Sequence, residues 1–441
     1  MTTSVPAANP RRTRFRWIVC ALVFCAVTIN YIDRLVFGIL APELQKIFHW
    51  TNADYTGIAF WFEVAYALGL ASFGRVLDWI GTRRGFAASL TGWSLAAAAH
   101  ALMSTIAGFS AARFFLGLTE AGVFPAVTKT AAEWFPRKER ALVMGIFNAG
   151  SNVGAVIAPL LVPWLFVTYG WEWAFVATGG IGLLWLVFWL WLYRAPAQHA
   201  RVSPEELAYI QSDPPEPVAE KIPWLTLLRL RQTWAFIVAK FLTDAIWRWF
   251  LYLLPLFFSQ NFKLDIKNFG LPFLTIYLMA DVGSVGGGWL SSRLLSRGWS
   301  VNAARKCAML ICALTALPVM FSAVVPNMWV AVLFVGLAAS AHQGFSSNLF
   351  TTVSDMFPKS AVGSVVGIGG TAGALGAMLL LTITGRLFAQ LSATASTTSV
   401  YTTLFVIAGC AYLASLAAMH LLSPRLQPVS PRDIARPPLA T

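Results

Sequence analysis

The chain has 441 residues, of which 57% are apolar and 12% are Asp, Glu, Lys or Arg, about half the roughly 25% charged fraction of soluble globular domains. That composition excludes a typical soluble enzyme, and 32 Phe with 19 Trp exclude intrinsic disorder, because so much aromatic surface has to be buried in protein or lipid. A net charge of +13 does not point to nucleic acid either, since a phosphate-binding protein is not built of apolar runs of about 20 residues. What remains is a polytopic membrane protein with room for roughly a dozen spans.

Arg11, Arg12, Arg14 and Arg16 precede the first apolar run, as in a secretory signal. That run continues too far and contains Asp33 and Arg34, so it reads as an uncleaved first span. Apolar runs bounded by charges, Gly or Pro predict twelve helices. Six lie at 17–39, 55–77, 85–105, 108–130, 141–167 and 173–194; six more lie at 233–259, 269–292, 305–325, 329–352, 361–386 and 400–422. The polar, proline-rich interval 195–232 divides them. The expected layout is an all-α chain with a tail at 1–16, a six-helix bundle at 17–194, a linker at 195–232, a pseudo-symmetric second bundle at 233–422 and a tail at 423–441. Cys20, Cys25, Cys307, Cys312 and Cys410 fall inside apolar runs and read as small buried hydrophobes.

Cytoplasmic loops are enriched in Lys and Arg. With the N-terminus inside, only Lys46, Lys263, Lys267 and Arg386 fall on the outer side, five basic residues stay within spans, and all the others lie inside. Both termini are therefore expected in the cytoplasm of a cell whose inner membrane the chain crosses. Between spans two and three, Gly74, Asp78, Arg83 and Arg84 form a loop in which a small residue permits close helix approach and the acid and bases can pair as a gate. Gly288 to Arg293 echo it between spans eight and nine, with Ser292 in the acid's place.

An ionisable group at mid-bilayer costs on the order of 2.5–3.5 kcal/mol, so each one there is a functional candidate. Ten qualify: Asp33, Arg34, Glu63, Arg113, Glu120, Lys129, Lys240, Asp244, Arg248 and Asp281. At about 1.5 Å per residue, Asp33 on span one and Arg113 on span four lie at the same depth, which makes them the expected interhelical ion pair. Glu120 is two turns from Arg113 on the same face. An Arg fork matches a carboxylate, and an acid in a low-dielectric cavity can load and release a proton. Lys240, Asp244 and Arg248 are spaced to satisfy one another, although Arg248 can still supply a second cationic contact. Lys129 can snorkel, Asp281 suits packing or pairing, and Glu63 shares a face with Tyr66.

Uncharged polar groups suit a hydroxyl-rich ligand. Asn148, Ser151 and Asn152 make a patch on span five; Gln343, Ser346, Ser347 and Asn348 make one on span ten, where His342 is either a proton relay or a structural histidine. Tyr31 and Tyr66 can stack on a ring or bond its hydroxyls. Six glycines between Gly363 and Gly376 favour close helix packing on span eleven, and without a phosphate-binding loop motif ATP-driven transport is not indicated. Nothing indicates a metal or organic cofactor.

With twelve spans, a central loop and the Gly74–Arg84 motif, the chain resembles the major facilitator superfamily. Asn30-Tyr31-Ile32-Asp33-Arg34, the segment Arg113 to Gly122 and Glu133-Trp134-Phe135-Pro136-Arg137-Lys138-Glu139-Arg140 look like the anion:cation symporter family. Ala341 to Ser346 and Ser354 to Pro358 look most like its hexuronate branch. The resemblance implies proton symport, with Asp33 and Glu120 protonating, Arg34 and Arg113 handling the anion or the ion pairs, and Tyr66 contacting a sugar acid. Where galactonate-type members carry Gln on span five and Asn on span eleven, this chain has Ser151 and Gly370.

The expected protein is a monomeric, lipid-embedded secondary transporter, not an enzyme and not a nucleic-acid binder, importing a sugar-acid anion with protons by alternating access. Two rivals remain open: the same fold carrying an aromatic or short-chain carboxylate, and a polytopic membrane enzyme using Asp33, Glu120 and His342 as acid and base.

Overall fold

A computed structural model describes residues 13–212, 222–391 and 396–429, and within them every regular element is helical. In chain order these are α1 (Phe15–Phe48), α2 (Asn52–Ile80), α3 (Thr82–Ala99), α4 (Ile106–Glu120), α5 (Val123–Trp134), α6 (Arg137–Tyr169) and α7 (Trp171–Leu192). Two short helices follow, α8 (Pro204–Ile210) and α9 (Trp224–Leu227). The second set is α10 (Arg231–Phe262), α11 (Gly270–Ser296), α12 (Val301–Ala316), α13 (Met328–Met356), α14 (Lys359–Leu391) and α15 (Thr397–Leu422).

Among the described residues nine helices are long and apolar enough to cross a membrane. The rest of the expected spans are occupied by α2 and α3, which carry loop charges at their ends, and by α4 with α5. The expected single span at 108–130 is broken. Pro125 has no N–H to give and its ring crowds the carbonyl of Ala121, so α4 stops at Glu120 and α5 starts at Val123. The break leaves Glu120 as the last residue of its helix.

Local chemistry sets the other ends. Thr51 accepts from Asp54 N at 3.1 Å while Asp54 accepts from Thr51 N at 2.9 Å, a capping box that starts α2. Helices α1 and α10 close alike, on left-handed caps at His49 and Lys263. Small residues bring helices together: a Cβ at Gly117 would strike the Phe62 carbonyl of α2, and one at Gly287 would strike Gly344 of α13. On α14, Gly369, Gly373 and Gly376 face α10 in the same way.

Outward faces stay apolar. Leu184, Val187 and Trp191 of α7 and Val282 and Val285 of α11 are exposed, as are Cys25 and Cys410, which were expected to be buried. So large an apolar perimeter requires lipid.

The two sets of helices meet through α1 with α10, α2 with α14 and α6 with α11. The meeting points lie toward the Lys/Arg-poor end. Gln260 donates to Asn52 at 2.9 Å, Tyr55 donates to the Tyr252 carbonyl at 2.8 Å, and Gly38 abuts the Leu251 carbonyl. Further along α2 come Glu63 with Arg248 and then Leu70 beside Gly370. Nearer the arginine-rich end, Gly74, Gly145 and Gly363 look onto open space. The contacts among Asn52, Tyr55, Gly38 and their partners on α10 shut the molecule at the Lys/Arg-poor end.

Candidate functional site

The buried charges of α1 and α4 form the centre. Arg34 is 7% exposed and Glu120 1%; Arg34 Nε and Nη2 donate to Glu120 at 2.9 and 2.8 Å. The guanidinium carbon also lies 4.7 Å from the ring centre of Tyr66 and 5.3 Å from those of Tyr31 and Phe62. An aromatic cage of this kind holds a cation without neutralising it.

The expected Asp33–Arg113 ion pair does not form. Both oxygens of Asp33 are buried without a hydrogen-bond partner, and the side chain faces Trp93 of α3 and Thr178 of α7. Arg113 is fully buried, stands 4.3 Å over the ring of Phe37, and makes one long bond, from Nη2 to the Arg34 carbonyl at 3.4 Å. Consecutive residues on a helix point about 100° apart. Depth brought α1 and α4 to the right level, and the rotation of α1 presents Arg34 rather than Asp33 to α4.

Four of the remaining intramembrane charges form two ion pairs. Arg248 Nη1 donates to Glu63 at 2.7 Å, Tyr252 donates to the other Glu63 oxygen at 2.9 Å, and Arg248 stands 4.9 Å over Tyr66. Glu63 is thus the counterion that ties α2 to α10, and Arg248 reaches the same tyrosine as Arg34. Lys240 and Asp244 pair at 2.6 Å as their spacing predicted. Lys129 Nζ donates to the Leu77 carbonyl at 2.8 Å.

Beside this cluster a small cleft lies between the two sets of helices. Tyr31, Ser151, Asn152 and Gln343 line it as candidates read from the sequence, joined by Trp247, Tyr277 and Asp281, which were not singled out as ligand contacts. The signal for the last two was their i, i+4 spacing, which stacks them on one face of α11. Asn148 belongs to the same helix face as Asn152, but its side chain lies outside the described residues.

Other candidates serve the scaffold. Asn348 Nδ2 donates to the Gly287 and Gly344 carbonyls, both at 2.9 Å, and clamps α13 to α11. Ser347 donates back to Gly344 at 3.0 Å, and Ser346 is half-buried one position earlier. His342 lies parallel to Trp247, ring centres 4.9 Å apart, with Nδ1 3.1 Å from the Tyr412 hydroxyl. It backs the cleft wall instead of lining it.

At the α2–α3 turn, Gly81 takes φ of 80°, which only glycine adopts freely. The acid that organises this turn is Glu133 of α5. It accepts from Thr82 at 2.5 Å and from Tyr193 at 2.6 Å. Arg83 donates to the Leu190 carbonyl, Arg84 is exposed and Gly74 is open, while the side chain of Asp78 lies outside the described residues. In the second copy, Arg305 bonds Asp355 at 3.1 Å and Ser291 at 2.8 Å, so an acid on the neighbouring helix takes the role that Ser292 cannot fill.

Comparison with known proteins agrees with this architecture. The family model described as Major Facilitator Superfamily matches residues 23–381. A hexuronate transporter of Escherichia coli K12 is 31% identical over 378 residues, 84% of this chain and 87% of that one. A galacturonate transporter of Dickeya chrysanthemi is 32% identical over 291 residues, 65% of this chain and 84% of that one. Among solved structures, a bacterial homologue of the human lysosomal transporter Spinster, inward-facing and occupied, superposes with a TM-score of 0.69 at 17% identity, covering 94% of this chain and 96% of its own. The xylose transporter of E. coli in an inward open conformation also gives 0.69, at 12% identity, covering 93% and 96%. Apolar perimeter, paired intramembrane charges and family model converge, and the chain belongs to the major facilitator superfamily.

Proposed function

We propose that the protein is a proton-coupled symporter that imports a sugar-acid anion, such as galacturonate or glucuronate, across a bacterial inner membrane with both termini in the cytoplasm. It works as a single chain by rocking the bundle at 17–194 against that at 233–422 about the central cleft, with 195–232 as tether. The observation that carries this reading is the Arg34–Glu120 pair. An arginine caged by Tyr31, Tyr66 and Phe62 and held by one acid exchanges that acid for a substrate carboxylate once the acid takes a proton. Asp33, buried without a counterion, is the second proton site. The hydroxyls and amides of Ser151, Asn152 and Gln343 meet the sugar hydroxyls in the adjoining cleft. Closure at the Lys/Arg-poor end, the outer side in this orientation, supports an inward-facing state.

In proteoliposomes, an inward proton gradient should accelerate galacturonate uptake by the wild type, and Glu120→Gln should lose that acceleration. A full response to the gradient in the variant would refute the coupling role. Arg34→Ala should abolish binding measured by calorimetry. Aromatic walls at Trp247 and Tyr277 would also suit an aromatic carboxylate, and competition by phthalate against galacturonate, glucuronate and galactonate separates the two.

A further inference from the structure

Asp281 stands apart from the carboxylates of Asp33, Glu63, Glu120 and Asp244. Glu63, Glu120 and Asp244 each hold a cation, and Asp33 is sealed among α3 and α7. Asp281 has no cation within ion-pair distance among the described residues, is half-buried, and lines the cleft facing the Asn152 amide of α6. Its helix cannot drift, because Gly283 and Gly287 seat α11 directly on the α13 backbone and Asn348 clamps the contact. A carboxylate carried on a locked helix, met only by the Asn152 amide and opening into the cleft between the two sets of helices, stands where the hydroxyls of a ligand can compete for it.

The cleft is also polar in the electrostatic sense. Its α1 wall ends at Tyr31, which Arg34 and Arg248 flank, while the α11 wall carries the one carboxylate. A monocarboxylate sugar acid has the matching asymmetry, with an anionic end and a hydroxyl-bearing end. An ionised carboxylate only accepts hydrogen bonds, and its two oxygens suit a pair of adjacent hydroxyl donors. A second substrate carboxylate in that place meets like charge in a partly dehydrated site.

Resting on the sugar-acid reading above, the geometry points to Asp281 as the specificity determinant that receives the hydroxyl end of a monocarboxylate sugar acid and rejects dicarboxylate sugar acids. Neutral Ser151, Asn152 and Gln343 discriminate between hydroxyls but carry no charge with which to repel a second acid, so the choice between the two classes falls to Asp281.

The test uses the full-length protein, with binding of galacturonate (one carboxylate) and galactarate (two) measured by calorimetry. The wild type should prefer galacturonate by at least about tenfold. Asp281→Asn should move the ratio of affinities toward galactarate by at least about tenfold, while Asp281→Glu, which keeps the charge, should leave the preference in place. A merely structural aspartate predicts a different pattern, with both ligands weakened alike by either variant, and a ratio unchanged within about twofold in Asp281→Asn overturns the proposal. Should Asp281→Asn fail to remain monodisperse, Asn152→Asp carries the test with the sign reversed: galactarate must be rejected more strongly, and no change overturns the proposal. A wild type that binds neither acid refutes the sugar-acid reading itself, an outcome distinct from a wild type that binds both equally, which refutes only the role of Asp281.

Discussion

Arg34 places both Nε and Nη2 on the same oxygen of Glu120, Oε2, and leaves Glu120 Oε1 buried without a partner. The pairing is one-sided: one oxygen carries the ion pair, and the other is the place where a proton can arrive without first displacing the guanidinium. Within the proposed cycle, protonation there weakens the hold on Arg34 and frees it for the substrate carboxylate.

The two side chains should therefore be strongly coupled in stability. Removing one partner of a buried pair strands the other charge, at a cost of about 3–5 kcal/mol, whereas removing both strands none. Arg34→Ala and Glu120→Ala should each lower the melting temperature of the detergent-solubilised protein more than the Arg34→Ala/Glu120→Ala double variant does. Additive losses in that double-mutant cycle would show that the pair contributes no coupling.

The second prediction concerns the closed end. Asn52 and Gln260 exchange a 2.9 Å hydrogen bond between α2 and α10, so cysteines at both positions lie within reach of a short thiol cross-linker. Joining them pins the sets of helices at the end that has to open for alternating access. In a background where Cys25 and Cys410 are Ala, cross-linked Asn52→Cys/Gln260→Cys should lose uptake by at least about tenfold and recover it on reduction, because a state held fixed removes the return half of the cycle. Uptake that survives complete cross-linking would rule out motion at this contact.

The helices were legible because a span must be apolar and about 20 residues long, and that constraint is written in one dimension. The break after Glu120 was equally written, in Pro125, but a run of apolar residues masks it. The charge partners were legible only as a set. Depth arithmetic identified α1 and α4 as the pair of helices, yet Asp33 and Arg34 differ by a rotation that no spacing within α1 reveals. Glu63 with Arg248 joins residues 185 apart in sequence, and nothing local to either residue announces the other. Asp281 was ambiguous for the opposite reason: a lone acid acquires meaning only once the cleft around it is known.

A third prediction lies outside the membrane. Glu206 of α8 accepts from Thr13 Oγ1 at 2.6 Å, from Phe15 N at 2.9 Å and from the Arg16 guanidinium at 3.1 Å, capping α1 from 191 residues away in the chain. Burial alone would raise its carboxyl pKa, but these donors outweigh it and hold the group below the ordinary glutamate range. A depressed folded-state value stabilises the protein above the ordinary value, and the gain is lost as pH falls through the depressed one. Glu206→Gln should cost about 1.5–3 kcal/mol near neutrality. Its melting temperature should converge on that of the wild type as pH drops below about 4; a gap independent of pH would show that charge is not what the cap uses.

His342 offers the last prediction, because the geometry separates its two expected roles. Its ring lies parallel to Trp247, the cleft wall, and its Nδ1 meets the Tyr412 hydroxyl on the side away from the cleft. A relay needs an acid or water path to the proton sites. The titratable groups here are Tyr412 behind the ring and the paired Lys240 and Asp244 on α10, while Asp33 and Glu120 belong to the other set of helices. The stack, in contrast, fixes the orientation of Trp247 directly. An aromatic pair contributes about 0.5–1.5 kcal/mol, so His342→Ala should raise the KM for galacturonate by about two- to tenfold. His342→Phe, which keeps the stack and has no proton to pass, should recover most of that loss. In both variants the acceleration of uptake by a proton gradient should persist; if His342→Phe binds substrate normally but no longer responds to the gradient, the histidine is a relay and the packing role is wrong.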